Sequence, residues 1–119
     1  MHLHISDHKT VEDLQDRFNL CFPYLKIEFY KDEDTTENRK CNIATSNTRI
    51  GELRKKAGPE IFDIKSWDKT ECVKQGLKEI YGLHVQIFRL HKNEWIPTSY
   101  SNELTLKQQC ELAQAVVAL

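Results

Sequence analysis

The chain nearly repeats itself, and this limits its fold more than any other feature. Leu3-His4-Ile5, a helical stretch to Phe22 and the run Leu25-Lys26-Ile27-Glu28-Phe29-Tyr30-Lys31 form one unit. Phe62-Asp63-Ile64, a helical stretch to Tyr81 and the run Leu83-His84-Val85-Gln86-Ile87-Phe88-Arg89 form another. Each reads as strand, helix, strand. Identities are few, so what recurs is the spacing of the apolar positions, which points to duplication more than to coincidence.

The helical stretches carry their own signals. Val11, Leu14, Phe18, Cys21 and Phe22 are three and four apart and share one face. Thr10 with Asp13 makes an N-terminal cap, and Pro23 ends the helix by disfavouring helical geometry in the residue before it. In the second unit Val73, Leu77, Ile80 and Tyr81 repeat the face, Asp68 with Glu71 resembles a capping box, and Gly82 suits a left-handed close. The strands alternate. Leu25, Ile27 and Phe29 point to the helices, as do Leu83, Val85 and Ile87, while Lys26, Glu28, Tyr30, His84, Gln86 and Phe88 point away.

The rest of the chain fits around these units as one domain, residues 1–119, with units at 2–31 and 60–90. A polar connector at 32–49 reads as exposed loop. Ile50, Leu53 and Ala57 suggest a short helix ended by Gly58-Pro59. At 91–119, His91-Lys92-Asn93 forms a hairpin turn into Glu94-Trp95-Ile96-Pro97-Thr98, an edge strand because Pro97 has no amide to donate. Thr105 with Gln108 caps a last helix that aligns Leu106, Cys110, Ala113 and Val117. Val116, Val117 and Leu119 leave an apolar tail for the sheet or for a second copy.

Two strand–helix–strand units in series predict an α+β, ferredoxin-like sandwich. The first strands of the units lie at the centre of one sheet and the fifth strand extends it beside the fourth. A β-grasp arrangement is the alternative. The sheet face away from the helices carries His2, His4, Lys26, Glu28, Tyr30, Asp63, Lys65, His84, Gln86 and Phe88, and is either solvated, covered by the C-terminal helix or a binding surface.

Composition narrows the function classes. The 119 residues are 39% hydrophobic and 29% charged with a net charge of −1, an ordinary globular balance. A chain of this size buries about 65–70% of its unfolded surface, enough for a core without staples. Near-neutral charge argues against a nucleic-acid or membrane footprint. No apolar run has the length of a membrane span, and the N-terminal residues lack a secretion-signal layout, so the expected setting is cytoplasmic. The four cysteines, Cys21, Cys41, Cys72 and Cys110, have neither paired nor zinc-like spacing.

Three chemistries compete with a simple binding role. Nucleic-acid binding on the open sheet face would use stacked aromatics, but the central strands offer His2, His4, Asp63 and Lys65 instead. A divalent-metal site could draw on His2, His4, Asp63 and His84, although a His-x-His pair alone lacks supporting ligands, and no metal or other cofactor is favoured. Catalysis finds no nucleophile elbow, phosphate loop, zinc-protease or dinucleotide motif, and His8 beside Asp7 reads as a turn pair, so an enzyme is not expected. The remaining reading is a protein-interaction module, with a protein partner or a second copy bound through Tyr30, Phe88, Glu28, Gln86 and Trp95. Trp67 and Trp95, taken singly, read as core or rim packing.

The stretches Thr10–Gln15, Phe22–Phe29, Gly82–Arg89 and Leu104–Gln109 resemble a group of small bacterial proteins of uncharacterised function. The resemblance covers most of the chain outside the polar connector. It implies a shared fold and brings no catalytic residue or cofactor. Lys69-Thr70-Glu71-Cys72 departs from the Thr-Val-x-x-Leu start of the first helix.

Overall fold

A computed structural model describes residues 1–31 and 43–117. The elements in order are β1 (His2–His4), α1 (Val11–Cys21), β2 (Leu25–Tyr30), α2 (Ile50–Leu53), β3 (Ile61–Asp63), α3 (Thr70–Tyr81), β4 (His84–His91), β5 (Glu94–Pro97), a turn of 3-10 helix at Ser99–Ser101 and α4 (Leu106–Val117). The fold is α+β, as the pattern predicts. β1 pairs with β3 and β5 extends the sheet beside β4, both as expected. The second strands depart from expectation. β2 and β4 pair with each other, so the strands form two sheets, β1–β3 and β2–β4–β5, where one ferredoxin-like sheet was predicted. The helix that follows each first strand delivers the second strand to a different sheet.

One core fills the space between these elements. Leu3, Ile5, Val11, Leu14 and Phe18 join Leu25, Ile27, Phe29, Ile64, Leu77, Tyr81, Leu83 and Ile87 in a single buried cluster. Full burial of a side chain such as Phe18 or Leu77 stabilises by about 1.5–3 kcal/mol. The predicted helix faces hold with corrections at their margins. Cys21 is exposed and Ile80 is 38% exposed, because each lies three residues after the stripe's centre at Phe18 or Leu77 and falls at its edge, whereas Phe22 and Tyr81, four residues on, stay buried. Val85 is only partly buried, while Gln86 is buried. Trp67 is 69% exposed, which rules out core packing for it. α2 is a single turn that stops at Arg54, since the amides of Lys55 and Lys56 turn to the Tyr81 carbonyl, and Ala57 is exposed.

Helix starts are handled in a way that the sequence reading only half anticipated. A helix leaves its first amides without partners inside the helix. Thr10 and Asp13 do form the capping box of α1, and Thr105 with Gln108 exchanges the same bonds at α4. Asp68 does not cap α3; its carboxylate accepts from the Lys65 amide and the N-cap is Lys69. The helix-start amides find carbonyls in a partner loop. Val11 and Glu12 donate to Thr48 and Ser46, and in return Ile50 and Gly51 donate to Lys9 and Asp7. In the second unit Thr70 and Glu71 donate to Leu104 and Asn102, and Leu106 and Lys107 donate to Asp68 and Ser66. Each long helix and the later helix of its unit cap one another through their preceding loops.

This correspondence enlarges the repeat. Residues 43–53, predicted as the end of a polar connector and a short helix, match 97–109. Ile43 bridges Tyr30 as Pro97 pairs with Phe88, and the Ala44 amide donates to Phe29 as the Thr98 amide donates to Ile87. Residues 32–42 of that connector lie outside the described residues, as does Leu119 of the apolar tail. Within the second unit the tight connection is explicit. Lys92 and Asn93 adopt φ of 49° and 67°, the geometry of a two-residue hairpin turn. Gly82 closes α3 at φ 68°, where an added Cβ would also lie 2.9 Å from the Lys55 Cβ.

Candidate interaction surface

Strand alternation sends Ile27, Phe29 and Ile87 into the core and leaves a second set on the outer face of the β2–β4–β5 sheet. Register decides which of these meet. Lys26 lies opposite Phe88, Glu28 opposite Gln86 and Tyr30 opposite His84. The hairpin turn then places Trp95 opposite Leu90 and Pro97 opposite Phe88, adding them to the same face. Lys26 reaches both large rings. Its ammonium is 5.5 Å from the Phe88 centroid and 5.7 Å from that of Trp95. An exposed contact of this kind contributes about 0.5–1 kcal/mol.

The Lys26 charge is balanced at once. Its Nζ lies 3.0 Å from Glu28 Oε1, on the same strand face, and Glu28 Oε2 accepts from Gln15 Nε2 at 3.3 Å. Gln86 takes the matching place beside α3, where its Oε1 accepts from Lys74 Nζ at 3.0 Å and its amide donates to Ser99 Oγ. On this face the Lys26 charge is thus balanced by Glu28 beside two aromatic rings, while Glu28 and Gln86 are also bonded to α1 and α3. α4 does not cover it. Leu106 and Ala113 are buried on the core side, and Gln109 Oε1 accepts from Arg89, which shares the Ile87 face.

The remaining predicted residues are divided between the sheets. His2 pairs with Asp63 across β1–β3, with His2 Nδ1 3.4 Å from Asp63 Oδ1, and His4 lies opposite Ile61. His84 is on the other sheet, so the predicted shared polar face is not formed and the ligand candidates are not assembled. Among the described residues no group of three or more His, Cys, Asp or Glu side chains is placed to hold a metal ion. Asp7 turns away from His8 to Arg54, at 2.8 Å. Cys21, Cys72 and Cys110 are free, and burial pushes the Cys110 thiol up from its ordinary range. Tyr81 is likewise raised by burial, and its hydroxyl donates to the Pro59 carbonyl at 2.7 Å.

Two features escaped the sequence reading. The joining of Lys26 to Phe88 and Trp95 needs the hairpin register, for which the only local signal is the two-residue turn. The second is a buried polar network. Gln109 Nε2 donates to Thr70 Oγ1 and to the Ser101 carbonyl, Arg89 donates to Gln109 Oε1 at 2.6 Å, and Thr98 Oγ1 donates to the Ile87 carbonyl. None of the described helices is long and apolar enough to cross a membrane. No protein-family model, curated protein or solved structure matches the chain.

Proposed function

We propose that the chain is a non-catalytic protein-interaction module whose contact surface is the outer face of the β2–β4–β5 sheet. The observation that carries this reading is the convergence of Phe88, Trp95 and Lys26 on a face that α4 leaves open, with the lysine charge already neutralised by Glu28. A neutral aromatic patch suits a partner that contributes apolar side chains and one or two hydrogen-bond acceptors. Trp and Tyr are favoured anchors at such contacts because they bury much area at little entropic cost. Tyr30 and Glu28 flank the patch and complete the proposed surface, while Gln86, expected there, is buried beneath its bonds to Lys74 and Ser99. The free cysteines among the described residues agree with a cytoplasmic setting, which belongs to the same proposal.

The test is quantitative binding to a partner identified by cross-linking and produced in pure form. The Phe88→Ala/Trp95→Ala variant should bind at least about tenfold more weakly, a loss of about 1.4 kcal/mol, with its far-UV spectrum unchanged. The Tyr30→Ala/Phe88→Ala variant should show a smaller loss. Unaltered affinity in both variants rejects this surface. Retention on single-stranded nucleic acid that falls steeply with salt would favour the nucleic-acid alternative.

A further inference from the structure

We infer that the two units are separable partners: they meet through a complete two-fold interface that accepts the equivalent unit, from the same chain or from a second copy. The inference is independent of the proposed binding face. It rests on how the hydrogen bonds divide. The reciprocal caps stay within a unit, joining Val11 and Glu12 to Thr48 and Ser46, or Thr70 and Glu71 to Leu104 and Asn102. The β1–β3 and β2–β4 ladders run between units, with β4–β5 inside the second, and the pairs of each inter-unit ladder exchange with one another. In β1–β3, Leu3 opposite Phe62 is central, His2↔Asp63 is the mirror of His4↔Ile61, and the Ile5 amide to Glu60 matches the Ile64 amide to Met1. In β2–β4, Glu28 opposite Gln86 is central, Ile27↔Ile87 is the mirror of Phe29↔Val85, and Lys26↔Phe88 is the mirror of Tyr30↔His84.

Such exchange is the mark of a self-complementary contact, in which one patch meets its own equivalent. The link between the units, residues 54–59, is not needed to make it. Its amides at Lys55 and Lys56 bond the Tyr81 carbonyl, and the Pro59 carbonyl accepts from the Tyr81 hydroxyl. Those contacts hold the link against α3 and leave both ladders intact without it. The single core draws on both units, so neither half has a core of its own to bury. Pieces of that length are marginal even when well packed. The units should therefore fold only as a pair, and the pair should re-form when the covalent connection is cut.

A protease site inserted between Ala57 and Gly58 of the full chain tests this. After cleavage the protein should elute with the mass of the intact chain. Its midpoint of unfolding should rise with concentration, as for a two-part complex, while that of the uncut variant stays constant. Mixing isotopically light and heavy cleaved protein should yield hybrid particles. Separation of the halves at micromolar concentration overturns the inference, as does a concentration-independent transition retained by one half. A second insertion site between Lys56 and Ala57 guards against local damage. Amide exchange on the unaltered chain adds an independent readout: amides of the β2–β4 ladder and those of the reciprocal caps in both units should open together in one global event. Independent opening of either unit would refute the inference.

Discussion

Val11, Ala44 and Leu53 occupy in the first unit the positions that Thr70, Thr98 and Gln109 occupy in the second, and all six are buried. The main-chain bonds around them correspond pair by pair, yet one set is apolar and the other is a hydrogen-bonded network. The comparison separates two requirements of the fold. Helix-start amides and strand edges must find partners, and that demand is met in the same way twice. The interior needs only shape and satisfied polar atoms, so its chemistry can differ. Among the described residues no buried side-chain nitrogen or oxygen lacks a partner. The surfaces differ as well. Among the described residues, Ile61, Trp67, Ile80, Trp95, Tyr100 and Leu112 are the exposed large apolar side chains of the second half, against Leu20 in the first.

The largest expected effect tests whether the units share one fate. Phe18→Ala in α1 should cost about 3–5 kcal/mol and Leu77→Ala at the matching place in α3 about 2–5 kcal/mol. In urea titration followed by tryptophan fluorescence and by far-UV dichroism, both variants should shift one common transition. A transition that splits in either variant would break the equivalence of the units. Next in size, Gln109→Ala should destabilise by about 1–3 kcal/mol, because Thr70 and Arg89 each lose a bond to its side chain. Giving the second unit the interior of the first, with Thr70→Val, Thr98→Ala and Gln109→Leu together, should recover only part of that loss, since apolar groups replace both sides of the Thr70–Gln109 pair while Arg89 still lacks the Gln109 carbonyl. If the triple variant is less stable than Gln109→Ala, the polar set is doing something that shape does not explain.

The caps sharpen the contrast further. Thr10→Ala removes a side-chain cap and should cost about 1 kcal/mol. Lys69→Ala at the matching N-cap removes none and should stay within about 0.5 kcal/mol. The smallest effect is one of pH. The Thr10 amide and hydroxyl hold the Asp13 carboxyl below the usual carboxylate range. A lowered folded pKa means that its stabilisation is fully present above the unfolded value, about 3.9, and is lost as the pH falls through the folded one. Asp13→Asn should flatten the acid limb of thermal stability slightly.

Much of this fold could be read from apolar spacing. The helix faces of Val11, Leu14, Phe18 and of Val73, Leu77, Tyr81, the stop at Pro23, the Gly82 close and the β4–β5 hairpin all follow from local rules. Sheet membership did not, because alternation tells which side of a strand is buried and not which strand lies beside it. That is why Lys26, Glu28, Tyr30, His84, Gln86 and Phe88 share a face as predicted, whereas His2, His4 and Asp63 were placed there wrongly. The loops at 45–49 and 101–105 were also hidden. Their role is carried by carbonyls, which every residue has, so side-chain identity leaves little trace of it.

One detail of β2 bears on how this molecule behaves in crowded company. On the edge of β2 away from β4, the Leu25 carbonyl accepts from Asn19 Nδ2 at 2.9 Å, the Ile27 carbonyl from Gln15 Nε2 at 2.8 Å and the Phe29 carbonyl from the Ala44 amide. At the opposite edge β5 ends in Pro97, which has no amide to offer. Side-chain amides of α1 thus act as a terminator for strand addition, and a proline interrupts it on the other side. Both edges of the three-stranded sheet are thus made poor templates for another strand, the means by which sheets resist stacking edge to edge into fibrils.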